Sequence, residues 1–273
     1  MSRLLCGRLI SIDDWRCAGD DTAGRHAEWC GDDRIVITRR GMWELDIHGV
    51  PILADATTAT LWNRNTEYRV RHPARGGDQC TIFRLTDAGT RALNEERETR
   101  GGGKCGATFS RRTLPLDGQA YLLHRTLLSA AEGGAAKGDL IALEEPAFEL
   151  IRRLCLDADG QPETAVVARE LVSRVREFIG RRFAEPLSVE CIARSVGCSP
   201  FHLSRIFRRE TGLTLHRAIV WLRLREGLER LLDEPQQISR IALDVGFSSH
   251  SHFTDAFRAE FGHSPQQVRG ISL

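Results

Sequence analysis

Residues 188–212, SVECIARSVGCSPFHLSRIFRRETG, and residues 237–262, QISRIALDVGFSSHSHFTDAFRAEFG, are two copies of one sequence pattern. Matching residues lie 49 positions apart in the first half of each copy and 50 apart in the second half. An internal repeat of this length indicates that one supersecondary unit occurs twice. The matched residues are Ile192, Ala193, Val196, Gly197, Phe207, Arg208 and Gly212 in the first copy, and Ile241, Ala242, Val245, Gly246, Phe257, Arg258 and Gly262 in the second.

Each copy predicts a helix, a tight turn and a second helix. Gly197 and Gly246 end the first helix of each copy and permit the left-handed backbone of a sharp turn. Ser199 and Ser248 are then placed to cap the second helix with their side chains. This pattern is typical of the helix-turn-helix units that read DNA. The two units fall at about residues 187–210 and 237–261.

The residues between the units predict a connecting helix over about 214–232. Nineteen helical residues span about 28 Å, which is close to the ~34 Å of one turn of DNA. One chain could therefore place two recognition helices in successive major grooves. The alternative is a pair of helical hairpins that only pack against each other, in a module that binds other proteins.

The second copy carries a specific signature, Ile241-Ala-Leu-Asp-Val-Gly-Phe-Ser-Ser-His-Ser-His-Phe, followed by Phe261-Gly262 and Ser264-Pro265. With the first copy, it makes residues 165–273 resemble the DNA-binding domain of the AraC/XylS family of bacterial transcription regulators. The resemblance implies an all-α domain of seven helices with two helix-turn-helix units joined by a long helix. It also implies binding to double-stranded promoter DNA and a regulatory contact with RNA polymerase.

The resemblance places the DNA-facing residues on the second helix of each unit. Arg205 would make a bidentate contact to guanine, whereas Arg208, Arg209 and Arg258 would contact phosphates. Asp255 departs from the small polar or basic residues expected there, and it would accept from cytosine N4 or position Arg258. The full set of expected DNA-binding residues is Phe201, His202, Ser204, Arg205, Arg208, Arg209, Ser249, His250, Ser251, His252, Thr254, Asp255 and Arg258.

Short β-prone runs separated by Gly, Pro and Asn fill residues 34–85 and predict a compact antiparallel β-barrel or sandwich. The stretch, with Gly41-Met-Trp and Leu61-Trp-Asn, is similar to degenerate cupin-like sensor domains. The resemblance implies that residues 1–160 form a sensor and dimerisation domain with a small-molecule effector. Trp43, Trp62 and Tyr68 either fill its core or line its pocket. The fold class that follows is an α+β multidomain protein, with an N-terminal cupin-like barrel plus helices and a C-terminal all-α domain.

Two helices are predicted after the strands, at 118–131 and 141–156, following a polar loop over 95–106. Their apolar residues either form a homodimer contact or cover the barrel. These residues are Leu122, Leu123, Leu127, Phe148, Leu150 and Ile151.

The charge is unevenly distributed along the 273 residues. The whole chain has a formal charge of +1, but residues 171–273 hold 15 arginines, no lysine and 11 acidic residues. A basic C-terminal domain agrees with a nucleic-acid partner. No apolar run approaches the ~20 residues of a membrane span, and the N-terminus lacks a secretory signal, so we expect a cytoplasmic, nucleoid-associated protein.

The eight cysteines are scattered and include no CxxC pair. They predict reduced thiols, no metal site and no cofactor. Some DNA repair proteins that accept methyl groups combine this DNA-binding domain with a zinc module of four cysteines. The present sequence lacks the paired cysteines of such a module, so we expect no enzyme activity. His48 and His72 stand alone in the sequence. The alternative signal is metal or redox sensing by Cys17, His26 and Cys30.

Overall fold

The computed structural model describes residues 1–18, 27–47, 49–73, 77–100, 107–133, 137–156 and 166–271. Ten strands and ten helices lie in these ranges, with the strands in the first half of the chain. The strands are β1 (Ser2–Cys6), β2 (Ile10–Cys17), β3 (Glu28–Trp29), β4 (Arg34–Gly41), β5 (Trp43–Ile47), β6 (Val50–Ala54), β7 (Thr58–Trp62), β8 (Glu67–Arg71), β9 (Asp78–Leu85) and β10 (Thr113–Pro115). The helices are α1 (Asp87–Thr99), α2 (Gly118–Glu132), α3 (Lys137–Leu156), α4 (Val166–Arg182), α5 (Val189–Val196), α6 (Pro200–Thr211), α7 (Leu215–Asp233), α8 (Ile238–Asp244), α9 (His250–Phe261) and α10 (Pro265–Ile271).

The strands form two antiparallel sheets. The larger sheet has the order β1-β2-β9-β4-β7-β10, and the smaller one has the order β3-β8-β5-β6. Among the described residues no hydrogen-bonded strand pairing joins the two sheets, so the closed barrel is not confirmed. The mixed helix and sheet composition, with a helical C-terminal part, is as predicted.

Successive side chains of the central strands point to opposite faces of the larger sheet, and both faces are buried. In β4, Ile35 and Ile37 lie in one apolar cluster and Val36 lies in the other, because successive strand residues point to opposite faces. The first cluster is covered by α2 and α3, and the second fills the space between the sheets. Helices pack on one face and the smaller sheet packs on the other.

Aromatic side chains fill the space between the sheets. The ring centroids of Trp43 and Trp62 are 5.8 Å apart, and those of Trp62 and Tyr68 are 4.5 Å apart. Trp43 and Trp62 are buried, and each indole N–H donates to a threonine hydroxyl. These three residues therefore belong to the core between the sheets.

The helices α2 and α3 bury three of the six apolar residues that were candidates for a dimer contact, and partly bury the other three. Leu127, Leu150 and Ile151 are at most 4% exposed, so they cover the sheet. Leu122, Leu123 and Phe148 are partly buried against the same cluster. The structure thus favours the covering role for these helices.

Some local predictions were wrong. The polar loop over 95–106 begins too early, because α1 continues to Thr99; residues 101–106 lie outside the described part of the chain. The helix predicted over 141–156, α3, begins at Lys137 instead. Pro146 therefore lies inside the helix, where it removes one backbone donor. The expected domain boundary near 158–165 falls on residues that are not described.

The helical half contains two separate apolar clusters. The first helix-turn-helix unit, α5 and α6, packs with α4 and the start of α7 around Ile192, Leu203 and Phe207. The second unit, α8 and α9, instead shares one cluster with the N-terminal sheet, through Phe253 and Phe257. None of the described helices combines the length and the apolar character needed to cross a membrane.

Helix α7 joins the two halves through buried charges. Arg125 Nε of α2 lies 2.8 Å from Glu229 Oε1, and the Tyr121 hydroxyl donates to the same oxygen at 2.9 Å. Arg225, one turn earlier, donates to the carbonyls of Ala56 and Leu116. We call Tyr121, Arg125, Arg225 and Glu229 the α7 seam.

Burial shifts the pKa of both Glu229 and Arg225 in the α7 seam. Desolvation raises the pKa of Glu229, against the lowering effect of Arg125 and Arg39. Desolvation also lowers the pKa of Arg225, whose guanidinium lies 4.7 Å from the centre of the Tyr121 ring. Buried charges of this kind are costly unless paired, so the seam specifies how α7 sits on the N-terminal half.

We predict that Glu229→Ala lowers the free energy of unfolding by about 3–5 kcal/mol, because it removes the buried carboxylate beside Arg125 and leaves only the half-exposed Asp233, at 3.3 Å, to pair with it. Urea denaturation followed by circular dichroism measures the change. The matched control is Glu226→Ala on the same helix, which removes a half-buried pair with Arg230 and should cost about 0.5 kcal/mol. Equal losses in the two variants would contradict the importance of the seam.

Candidate nucleic-acid interface

The first helix-turn-helix unit is built by three local signals. The Ser188 side chain caps α5, Gly197 ends it with φ 73°, and the Ser199 side chain accepts from the backbone N–H of His202 to start α6. Pro200 occupies the first turn of α6, where its missing N–H costs nothing. The short turn and the caps fix the start of α6 relative to α5.

One face of α6 is buried and the other is open to solvent. Leu203 and Phe207 are each 1% exposed, whereas the six residues expected to face DNA are all exposed. Phe201 stands out because its side chain is 80% exposed at the start of the helix. An exposed aromatic ring beside polar groups suits apolar contact with a thymine methyl group. The exposed residues are Phe201, His202, Ser204, Arg205, Arg208 and Arg209.

The second unit repeats this construction with one difference. Gly246 ends the first helix with φ 93°, as predicted. The cap of α9, however, is Ser249 and not Ser248, because the Ser249 side chain accepts from the His252 N–H. Ser248 Oγ lies 3.3 Å from His252 Nδ1, which holds the imidazole at the start of the helix. The predicted Ser248 cap was wrong by one residue.

Most of the residues expected to face DNA on α9 are exposed. Thr254 differs because it is half-buried, and its hydroxyl oxygen is buried with no hydrogen-bond partner among the described residues. The His252 ring also packs edge-on to Phe247, at 5.1 Å between centroids. These two residues therefore contribute to packing as well as to the outer face. The exposed residues are Ser249, His250, Ser251, His252, Asp255 and Arg258.

The charge of the two outer faces follows from which arginines are already paired. Within the described residues, Arg205, Arg208 and Arg258 make no ion pair or side-chain hydrogen bond, so their charges are available to a ligand. Arg209 differs, since its Nε lies 2.6 Å from Glu210 Oε1. Other arginines of the helical half are held internally, as in the pairs of Arg176 with Asp55, Arg217 with Glu260 and Arg230 with Glu226.

A cleft beside α9 was not predicted from the sequence. It has a volume of about 390 Å³ and is lined by residues from α8, α9 and α10. His250 belongs to the predicted set, but Gln266 and Arg269 lie on α10, outside both copies of the repeat. The repeat pattern gives no signal for these two residues, because they follow its second copy. The lining residues are Gln237, Ile238, Ser239, His250, Gln266 and Arg269.

Of the alternative sensor residues, Cys17 and Cys30 are described, so the predicted grouping of Cys17, His26 and Cys30 stays a prediction. Cys30 is buried, and its thiol donates to the Asp32 carbonyl at 3.0 Å. His26 and His48 lie outside the described residues. His72 was expected to stand alone, but it lies with Cys17 and Asp78, whose ligand atoms are all within 4.8 Å of one another and of its ring.

A family model described as "Helix-turn-helix domain" matches residues 192–270. The chain is similar to the regulatory protein SoxS of Salmonella typhimurium, with 31% identity over 101 residues, which is 37% of this chain and 94% of SoxS. It is also similar to the transcriptional activator RhaS of Escherichia fergusonii, with 38% identity over 87 residues, 32% of this chain and 31% of RhaS.

A third relative combines two activities. The bifunctional transcriptional activator and DNA repair enzyme AdaA of Bacillus subtilis is 30% identical over 103 residues, 38% of this chain and 49% of AdaA. The chain thus spans about half of AdaA and about a third of RhaS. The similarity to each of the three covers about 90–100 residues of this chain.

We predict that Gly246→Ala destabilises the protein more than Gly197→Ala. Both residues have left-handed backbone, which costs a non-glycine residue about 1–2 kcal/mol. A Cβ on Gly246 would also lie 2.5 Å from the Ala184 carbonyl oxygen, whereas a Cβ on Gly197 meets nothing within 4 Å. Thermal unfolding measures the melting temperature of each variant. Equal decreases in the two variants would mean that the backbone near Ala184 moves away from the new Cβ without loss of stability.

Proposed function

We propose, since this chain belongs to the AraC family of transcription regulators, that residues 166–271 bind promoter DNA sequence-specifically through α6 and α9. One observation carries the proposal: the two repeated units expose, on equivalent helices, polar side chains and three arginines that no described residue engages. Arginines without a partner among the described residues, set beside short polar side chains, supply contacts to phosphates and to base edges from the same helix. The proposed activity is that of a regulator and not of an enzyme.

The two recognition helices are proposed to differ in how they read DNA. Helix α6 offers Phe201 for apolar contact and Arg205 for a bidentate contact to guanine. Helix α9 offers His250, Ser251 and Asp255, and only Arg258 supplies positive charge. We therefore assign most of the base readout to α6, and assign phosphate contact to Arg208 and Arg258.

The N-terminal half is proposed to receive a signal. The support is the resemblance of residues 34–85 to cupin-like sensor domains, and the position of α7, which shares an apolar cluster with this half. A change in this half would therefore reach the second helix-turn-helix unit through their common core. A small-molecule effector, a second copy of the chain and RNA polymerase are the partners in this proposal. Promoter binding would place the protein at the nucleoid, in the cytoplasm.

Selection of bound fragments from genomic DNA, with the full chain as bait, tests the proposed function. The selected sequence should bind at least 10³-fold more tightly than random DNA of the same length at about 0.15 M salt. A fluorescence anisotropy titration measures both affinities under one condition. Equal affinities would overturn sequence-specific binding and favour a module that binds proteins.

The assignment of single arginines is tested on the same DNA pair. We predict that Arg205→Ala costs about 1–3 kcal/mol on the selected site and relaxes specificity at one base pair. Arg208→Ala should weaken the selected and random sequences alike, and lower the slope of log affinity against log salt by about 1.

The control for these variants is Arg240→Ala. Arg240 lies on α8 and pairs with Asp244, so its removal should leave both affinities nearly unchanged. An equal loss on selected and random DNA for Arg205→Ala would refute its role in reading a base.

A further inference from the structure

Three side chains from separate parts of the N-terminal half meet at one end of the larger sheet. Cys17 is the last residue of β2 and pairs directly with Asp78, the first residue of β9. His72 follows the last residue of β8. The Cys17 Sγ, a His72 ring nitrogen and an Asp78 carboxylate oxygen all lie within 4.8 Å of one another.

The His72 side chain is only 4% exposed, so both of its ring nitrogens, Nδ1 and Nε2, lie away from bulk solvent. Its Nε2 lies 2.5 Å from Asp78 Oδ1. Its Nδ1 is buried and has no hydrogen-bond partner among the described residues. Buried nitrogens of this kind normally have a partner, and a metal ion is one of the partners that an imidazole takes.

Neighbouring groups hold the three side chains in place. The Cys80 thiol donates to Asp78 Oδ2 at 3.1 Å, which orients the second carboxylate oxygen. The backbone of Gly77 passes so close to β2 that a Cβ there would lie 1.8 Å from the Cys17 carbonyl oxygen. The end of β2 and the start of β9 are therefore packed together by the backbone itself.

We propose that Cys17, His72 and Asp78 form a binding site for a first-row divalent cation of the zinc class. A thiolate, an imidazole and a carboxylate suit zinc, whereas magnesium and calcium take oxygen ligands. Ligands of a tetrahedral zinc ion lie about 3–4 Å apart, so small side-chain rotations close the present arrangement around an ion. Three protein ligands leave a fourth position for water or a small ligand. On binding, the Cys17 thiol releases its proton to solvent and the thiolate sulfur coordinates the ion.

The test uses the reduced full-length protein, freed of metal with a chelator and carrying no histidine tag. Titration with zinc against a chromophoric chelator should show one ion bound per chain, with release of a proton. Titration with cobalt should give the near-ultraviolet absorption band of a thiolate–cobalt bond. Saturating zinc should raise the melting temperature by several degrees, because the ion binds the folded state.

The variant Cys17→Ser should abolish the cobalt–thiolate band and weaken zinc binding at least tenfold. The matched control is Cys6→Ser, which changes an exposed cysteine on the neighbouring strand β1 and should leave both signals unchanged. His72→Gln and Asp78→Asn, which nearly keep the side-chain size, should each weaken zinc binding as well. Their melting temperatures without metal show whether they fold.

Two results would overturn the proposal. One is the absence of zinc binding to the wild-type protein at micromolar concentrations. The other is a cobalt–thiolate band that persists in Cys17→Ser, since the metal would then be bound by other cysteines. Neither result depends on DNA, so the metal site and the proposed promoter binding can fail independently.

Discussion

The buried pair between Glu229 of α7 and Arg125 of α2 is the interaction on which the arrangement of the two halves depends. Helix α7 would connect the two helix-turn-helix units in any case, but here its inner face lies against the N-terminal half. Charges in such a place are stable only with their partners, so α7 cannot slide or rotate without leaving an unpaired charge in the core. Arg225 adds to this constraint by donating to two backbone carbonyls of the N-terminal half. A second ion pair, between Arg176 of α4 and Asp55, holds the start of the helical half, and the guanidinium helps to lower the pKa of Asp55 against the effect of burial.

This constraint makes the two DNA-reading units unequal. The first unit has its own apolar cluster, whereas the second shares one with the sheet, α2 and α3. The second unit is therefore the one whose position follows directly from the N-terminal half. The sequence repeat gives little sign of this difference, because four core positions carry the same residue in both copies: Ile192, Ala193, Val196 and Phe207 match Ile241, Ala242, Val245 and Phe257. The difference comes from what lies beside each unit.

The parts of the fold that were predicted well depend on local signals. Both helix-turn-helix units, the connecting helix and the helices near 118–131 and 141–156 follow from caps, glycines and helical spacing of apolar residues. Strands β1 and β2 were not predicted, because Asp13 and Asp14 interrupt the apolar pattern of β2. The structure buries both, and pairs Asp13 with Arg3 and Arg84. Ion pairs between residues distant in the chain produce no periodic pattern in the sequence. The same reason hid the grouping of Cys17, His72 and Asp78, whose members are separated by up to 61 positions.

The sequence by itself determined that this chain carries two helix-turn-helix units, which residues form their turns, and which side chains lie on the outer faces of α6 and α9. These properties are local, since a helix of known register fixes which residues share a face. Only the tertiary structure decided which arginines remain available, that Thr254 is half-buried, and that α7 is held against the N-terminal half. Those properties depend on partners distant in the chain. Whether a charge is free or paired, and whether a polar group is buried, is set by the packing of the whole molecule.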